Sequence, residues 1–153
     1  MLSRKETATM IENIVIGSDH AGFDLKQKVI TYLKSKKIKV EDKGCYSSER
    51  ADYPDFGHLV ATSVLNKEAE LGILMCGSGN GIAMSANKHN GIRAALCWDK
   101  EIASLARQHN NANILVLPAR FISEQSAFDC IDAFLSAEFE GGRHQQRVEK
   151  IDL

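Results

Sequence analysis

Ile73-Leu74-Met75-Cys76-Gly77-Ser78-Gly79-Asn80-Gly81-Ile82-Ala83 joins an apolar run to a glycine-rich turn near the middle of the chain. An apolar run of strand character carries a thiol into a turn where glycine alternates with polar residues, and apolar residues resume as in the mouth of a helix. Two explanations of the glycines stand side by side. One is steric, a tight turn with positive φ or a close helix–strand approach; the other is chemical, backbone N–H groups gathered around negative charge. No Gly-Lys-Ser/Thr follows at the spacing of a Walker loop. The pattern is closer to a dinucleotide fingerprint, and Asp99 lies after the next apolar run, where a ribose-binding acid would fall.

Outward from this loop, short apolar runs alternate with longer amphipathic ones. Ile14–Ser18, Lys39–Asp42, Leu71–Cys76, Ile92–Cys97 and Ile114–Leu117 read as strands. Phe23–Ser35, Pro54–Asn66, Ile82–Lys88, Lys100–Gln108 and Ser123–Leu135 read as the helices between and after them. Five strands separated by helices predict an α/β fold, a parallel sheet covered on both faces. Residues 1–12 read as a flexible extension and 13–153 as one domain, with no repeat or linker inside it.

Composition narrows the function. A chain of 153 residues with 44% hydrophobic content buries one substantial core and has little room for a separate substrate domain. A formal charge of -1 gives no electrostatic reason to expect nucleic acid or an anionic membrane as partner. No run reaches transmembrane length, and the opening segment lacks the apolar core of a signal peptide, so the expected location is cytoplasmic. Cys45, Cys76, Cys97 and Cys130 are far apart, which disfavours a disulfide framework, and Cys97 and Cys130 fall in apolar patterns as small core residues. No HxxH, HExxH or CxxC spacing collects metal ligands.

In a sheet of this kind ligands bind where the strands run out. That rule gathers Asp19 and His20 after the first strand, Cys76 and its loop after the third, and Asp99 after the fourth. Asp19 is either a capping carboxylate or one that orients an acid/base group. His109, before Asn110 and Asn111, either complements a helix dipole or exchanges a proton near neutrality. Arg143 and Arg147, four residues apart, share a face if the tail is helical; with His144 they can clamp a phosphate or form a solvated basic surface, and Arg120 has the same two readings.

Six segments in one order carry a specific resemblance: Gly17-Ser18-Asp19-His20-Ala21-Gly22, Tyr53-Pro54-Asp55, Cys76-Gly77-Ser78-Gly79-Asn80-Gly81, Ala86-Asn87-Lys88, Arg107-Gln108-His109-Asn110, and Glu140-Gly141-Gly142-Arg143-His144-Gln145-Gln146-Arg147. From Asn13 nearly to Leu153 the chain resembles the B-type ribose-5-phosphate isomerase family, which includes isomerases acting on galactose 6-phosphate. The resemblance implies a Rossmann-like three-layer sandwich with a five-stranded parallel sheet. It implies homodimers, sometimes tetramers, with active sites shared between subunits, a phosphorylated sugar as substrate, and no nicotinamide cofactor or metal. One branch of the family uses a cysteine as base, and another has glycine there and a glutamate just after the loop. Here Cys76 is present and Ile82 takes the glutamate position, so the chain resembles the cysteine branch. Ser78 stands where some members have threonine, which bears on substrate preference more than on reaction class.

By this resemblance Cys76 moves the C2 proton of the open-chain sugar, activated by the positive end of the following helix. Ser78 and the backbone of Gly77, Gly79, Asn80 and Gly81 stabilise a cis-enediolate. His109 opens the sugar ring, Asp19 orients the sugar, and Asn110 contacts its hydroxyls. His20, Arg120, Arg143, His144 and Arg147 match phosphate-contacting positions, some of them on the neighbouring subunit. Tyr53 is either site wall or packing. The same residues leave two alternatives open, an isomerase of six-carbon sugar phosphates (allose 6-phosphate or galactose 6-phosphate) and a noncatalytic phosphate-sensing domain.

Overall fold

A computed structural model describes residues 11–153. The extension expected over residues 1–12 therefore lies outside the described residues except at its last two. There Ile11 packs on the core, and the carbonyl of Glu12 accepts a 2.9 Å bond from the N–H of Lys39.

The chain alternates β1 (Asn13–Ser18), α1 (Phe23–Ser35), β2 (Lys39–Asp42), α2 (Tyr53–Leu65), β3 (Leu71–Cys76), α3 (Asn80–Ala86), β4 (Ala94–Leu96), α4 (Lys100–Asn110), β5 (Ile114–Pro118), α5 (Glu124–Ser136) and α6 (Arg143–Glu149). All strand pairs are parallel, in the order β2-β1-β3-β5-β4. β3 and β5 are buried at every residue because helices cover both faces of the sheet, whereas the edge strand β2 alternates exposed and half-buried residues. Among the described residues no helix is long and apolar enough to cross a membrane.

The period of two along each strand divides the core. Ile14, Ile16, Ile73, Met75, Leu115 and Leu117 face α1, α4 and α5; Val15, Leu74, Cys76, Ile114 and Val116 face α2 and α3. On α5 the apolar set Ala127, Cys130, Ile131, Phe134 and Leu135 recurs at helical spacing and is buried throughout. Ser123 caps this helix by accepting the N–H of Ser126. Cys97 and Cys130 lie fully buried, and desolvation pushes their thiols up to about 12 and about 11, so neither is a nucleophile.

Two glycines let α2 approach the sheet. A Cβ on Gly17 would stand 2.9 Å from Cγ2 of Val60, and one on Gly72 would stand 2.8 Å from Cγ1 of the same residue. We expect Gly72→Ala to lower stability by about 1–3 kcal/mol through overpacking. A second substitution, Val60→Ala, should recover part of the loss; urea melts of both variants check this, and an unchanged midpoint for Gly72→Ala would refute it.

The fourth strand is shorter than the expected Ile92–Cys97. Asn87 takes both backbone groups of Ala94 at 2.8 and 2.9 Å, and Asn113 Oδ1 accepts the N–H of Arg93 at 2.8 Å, while the Arg93 carbonyl still accepts the N–H groups of Asn113 and Ile114 at 3.0 and 3.3 Å. The helix expected over Ile82–Lys88 runs instead over Asn80–Ala86, because Gly79, left-handed at φ 80°, starts it two residues earlier.

Candidate active site

Strands β1 and β3 are neighbours whose following helices, α1 and α3, lie on opposite faces of the sheet, so their ends open a crevice between them. Cys76 stands at the end of β3, 4% exposed. Beyond it Gly77, Ser78 and Gly79 turn into α3, and among the described residues their N–H groups have no acceptor. The Ser78 Oγ accepts from the N–H and the Nδ2 of Asn80, both at 3.3 Å, which leaves the hydroxyl proton to point elsewhere. Asn80 thus meets Ser78 first. Tyr53 lies flat against the loop: a Cβ on Gly81 would stand 2.6 Å from its ring, so the residue packs while remaining half-exposed.

The first strand delivers Asp19 and His20 to the same crevice. Oδ1 of Asp19 accepts the N–H groups of Ala21 and Gly22 at 3.0 and 3.2 Å. This buried carboxylate is a cap, and its second oxygen remains to meet a ligand. Nδ1 of His20 sits 3.2 Å from both backbone groups of Ala51, which fixes the ring with Nε2 turned away from that contact. Beneath the segment leading there, fully buried Lys26 holds Asp42 at 2.7 Å, and Asp42 Oδ1 accepts the N–H of Gly44 at 2.8 Å. Gly44 and Cys45 in turn bond the backbone of Ser18 at 2.7 and 2.8 Å. Arg120 follows β5. Its N–H donates to the Gly77 carbonyl at 3.0 Å, and its side chain reaches within 3.4 Å of where a Gly77 Cβ would be.

Asp99, the residue a dinucleotide reading needs, does another task. Its Oδ1 accepts the N–H of Ile102 at 2.9 Å and caps α4.

The remaining candidates are at the other end of the sheet. The Asn113 carbonyl accepts the N–H of Gly72 at 2.9 Å, so the segment just after His109 and Asn110 lies level with the start of β3. From Gly72 to Cys76 the strand rises about 13 Å. The tail joins His109 there: the Glu140 N–H donates to the Gln108 carbonyl at 3.0 Å, and His144 stacks on His109 with centroids 4.3 Å apart and planes 12° from parallel. Gly141 and Gly142, at φ 66° and 53°, make the turn that brings His144 back. His144 is buried, and its pKa is lowered by desolvation, then by His109 and Arg143, so it is a neutral hydrogen-bonding group more than a cation. The tail is helical over Arg143–Glu149, and Arg143 and Arg147 are exposed on it. Among the described residues neither they nor Arg120 has a carboxylate partner.

The candidates therefore form two half-sites: Cys76, Ser78, Asp19, His20 and Arg120 at one end, and His109, Asn110, Arg143, His144 and Arg147 at the other. One residue not among the sequence candidates belongs to the second half. Glu140 Oε1 lies 3.8 Å from Nε2 of His109 and 3.6 Å from Nε2 of His144. A glutamate 31 residues beyond its histidine in the sequence has no spacing signature; only its place in the tail motif marked it.

A model of the Ribose/Galactose Isomerase family matches residues 14–151. The chain belongs to that family. Within it, ribose-5-phosphate isomerase B of Escherichia coli K12 is 46% identical over 141 residues, which cover 92% of this chain and 95% of the relative. The crystal structure of a ribose 5-phosphate isomerase from Thermotoga maritima superposes with a TM-score of 0.91 at 55% identity, covering 92% of this chain and 97% of that one. A family member from Mycoplasma genitalium, solved with bound ribulose 5-phosphate, has a TM-score of 0.87 at 49% identity and covers 93% and 95%. The parallel sheet of this α/β fold is thus common to the family, as the resemblance implied.

Proposed function

We propose that this chain interconverts D-ribose 5-phosphate and D-ribulose 5-phosphate through a cis-enediolate. The observation that carries this is Cys76, at the mouth of a loop whose N–H groups have no acceptor among the described residues, beside Arg120, which has no carboxylate partner among them. As thiolate, Cys76 takes the proton from C2 of the open-chain aldose. The electron pair of that C–H bond becomes the C1–C2 double bond, and the carbonyl pair moves onto O1. The loop N–H groups and the Ser78 hydroxyl meet the developing charge. The O2 proton passes to O1, and the thiol returns its proton to C1, which leaves the ketose with no net gain or loss of atoms.

The abundant substrate is a ring, and opening it moves a proton from the anomeric hydroxyl to the ring oxygen. We assign that step to His109, with Asn110 and Asp19 on the sugar hydroxyls. The phosphate falls to Arg120 and His20 from one half-site and to Arg143, Arg147 and His144 from the other. Because the halves stand at opposite ends of one sheet, we infer a homodimer, at least, in which each site takes one half from each subunit. Residues 13–153 act as one unit in this reading. A cytoplasmic setting agrees with four free cysteines.

His109→Asn should slow turnover of the ring-form substrate about 100-fold or more while barely affecting an open-chain analogue. Stopped-flow assays on both substrates check this; equal losses would remove His109 from ring opening. Substrate class follows from catalytic efficiency on ribose 5-phosphate, allose 6-phosphate and galactose 6-phosphate, with ribose 5-phosphate expected to lead. A preference for either hexose phosphate would change the substrate and keep the mechanism; phosphate binding without turnover on all three would favour the sensing domain.

A further inference from the structure

The cluster at the end of α4 has a capacity that proton transfer does not use. Nε2 of His109 and Nε2 of His144 lie 3.8 and 3.6 Å from one carboxylate oxygen of Glu140, and the three ligand atoms fit within 4.8 Å of one another. Zinc bonds imidazole nitrogen and carboxylate oxygen at about 2.0–2.2 Å, which puts neighbouring donors of a tetrahedral shell about 3.4 Å apart. The two nitrogen–oxygen edges need to close by only a few tenths of an ångström. Backbone contacts already hold the group together, through the Glu140 N–H on Gln108 and the left-handed Gly141–Gly142 turn.

Ring orientation is the remaining requirement. The two imidazoles are nearly parallel, so directing both lone pairs at one ion means tilting one ring. His144 is buried and anchors the site; His109 is 37% exposed at its side chain and has room to turn. Two imidazoles and a carboxylate with an open fourth position suit Zn²⁺ and related ions rather than Mg²⁺. Arg143 and Arg147 on the same segment oppose a cation and moderate its affinity.

We propose that His109, Glu140 and His144 form a transition-metal site whose occupancy inhibits the enzyme. The inhibitory half rests on the ring-opening role assigned to His109, because an imidazole whose lone pair is held by a metal cannot take the hydroxyl proton of the sugar.

The test uses the metal-free full-length protein, with Co²⁺ followed by visible absorption and Zn²⁺ measured by competition. One ion should bind per chain. Glu140→Gln and His144→Gln should each weaken binding at least tenfold, while Cys76→Ala should leave it unchanged. Zn²⁺ should suppress turnover of the ring-form substrate in step with occupancy, EDTA should restore it, and Mg²⁺ should do neither. Binding that survives Glu140→Gln and His144→Gln, or that is lost in Cys76→Ala, overturns the site. Binding that depends on Glu140 and His144 but leaves turnover intact overturns the inhibition, and the ring-opening role of His109 with it. No binding at all overturns the site alone, since that role is read separately from the open-chain comparison.

Discussion

Cys76→Ala should leave a folded protein whose isomerisation is at least about 10³-fold slower, the range expected when a positioned base is removed. The residue is buried at the end of a strand, in the core cluster that includes Ile82 and Ala83, so alanine removes one sulfur and costs about 1 kcal/mol of stability. The phosphate contacts assigned to Arg120, Arg143 and Arg147 do not involve the thiol. Binding of the sugar phosphate should therefore persist, so that the Michaelis constant changes little while turnover collapses. Cys76→Ser should be nearly as slow, because a hydroxyl in the same place ionises far less readily than a thiol. Exchange of the C2 proton with solvent, followed by NMR in D₂O, reports the step directly and should vanish with turnover. A correctly folded Cys76→Ala protein that exchanges this proton at the wild-type rate would remove the thiol from the base role.

Much of this site was legible in the sequence because it follows strands. The ends of β1 and β3 were readable as apolar runs closing on Asp19 and Cys76, and topology then brings both residues to one crevice. Boundaries were less legible where side chains add to backbone pairing: nothing local announces that Asn87 and Asn113 will bond the backbone at Arg93 and Ala94. Asp99 shows the limit of spacing arguments. It falls where a ribose-binding acid would, and its carboxylate is spent on the start of α4. The separation into half-sites was hidden for a geometrical reason. Residues after a strand and residues ending a helix look alike as polar segments, yet in a parallel sheet they sit at opposite ends, since each helix runs back against the strands. Glu140 was marked only by its motif, and its shared contact with two histidines depends on the turn through Gly141 and Gly142.

That separation supports the second large expectation. Cys76→Ala and His109→Asn proteins, each nearly inactive on the ring-form substrate, should regain activity when their subunits are mixed. About 13 Å of strand separates Cys76 from Gly72, beside which the segment after His109 lies, so in the proposed arrangement the two residues of one chain serve different sugars. In the proposed two-fold dimer each subunit would give its Cys76 half to one site and its His109 half to the other. A mixed dimer then has one site with both defects and one with none. Random reassortment makes half the dimers mixed, so the expected recovery is about a quarter of wild-type activity. Unfolding the two proteins together and refolding them allows the exchange, and differently tagged subunits purified in tandem isolate the mixed species at about half of wild-type activity. The double variant Cys76→Ala/His109→Asn, mixed with the wild type, is the control, because its mixed dimers pair each intact half with a defective one and should be inactive. If a demonstrably mixed dimer of the single variants shows no recovery, the shared site is wrong, and His109 must act from within its own chain or not at all.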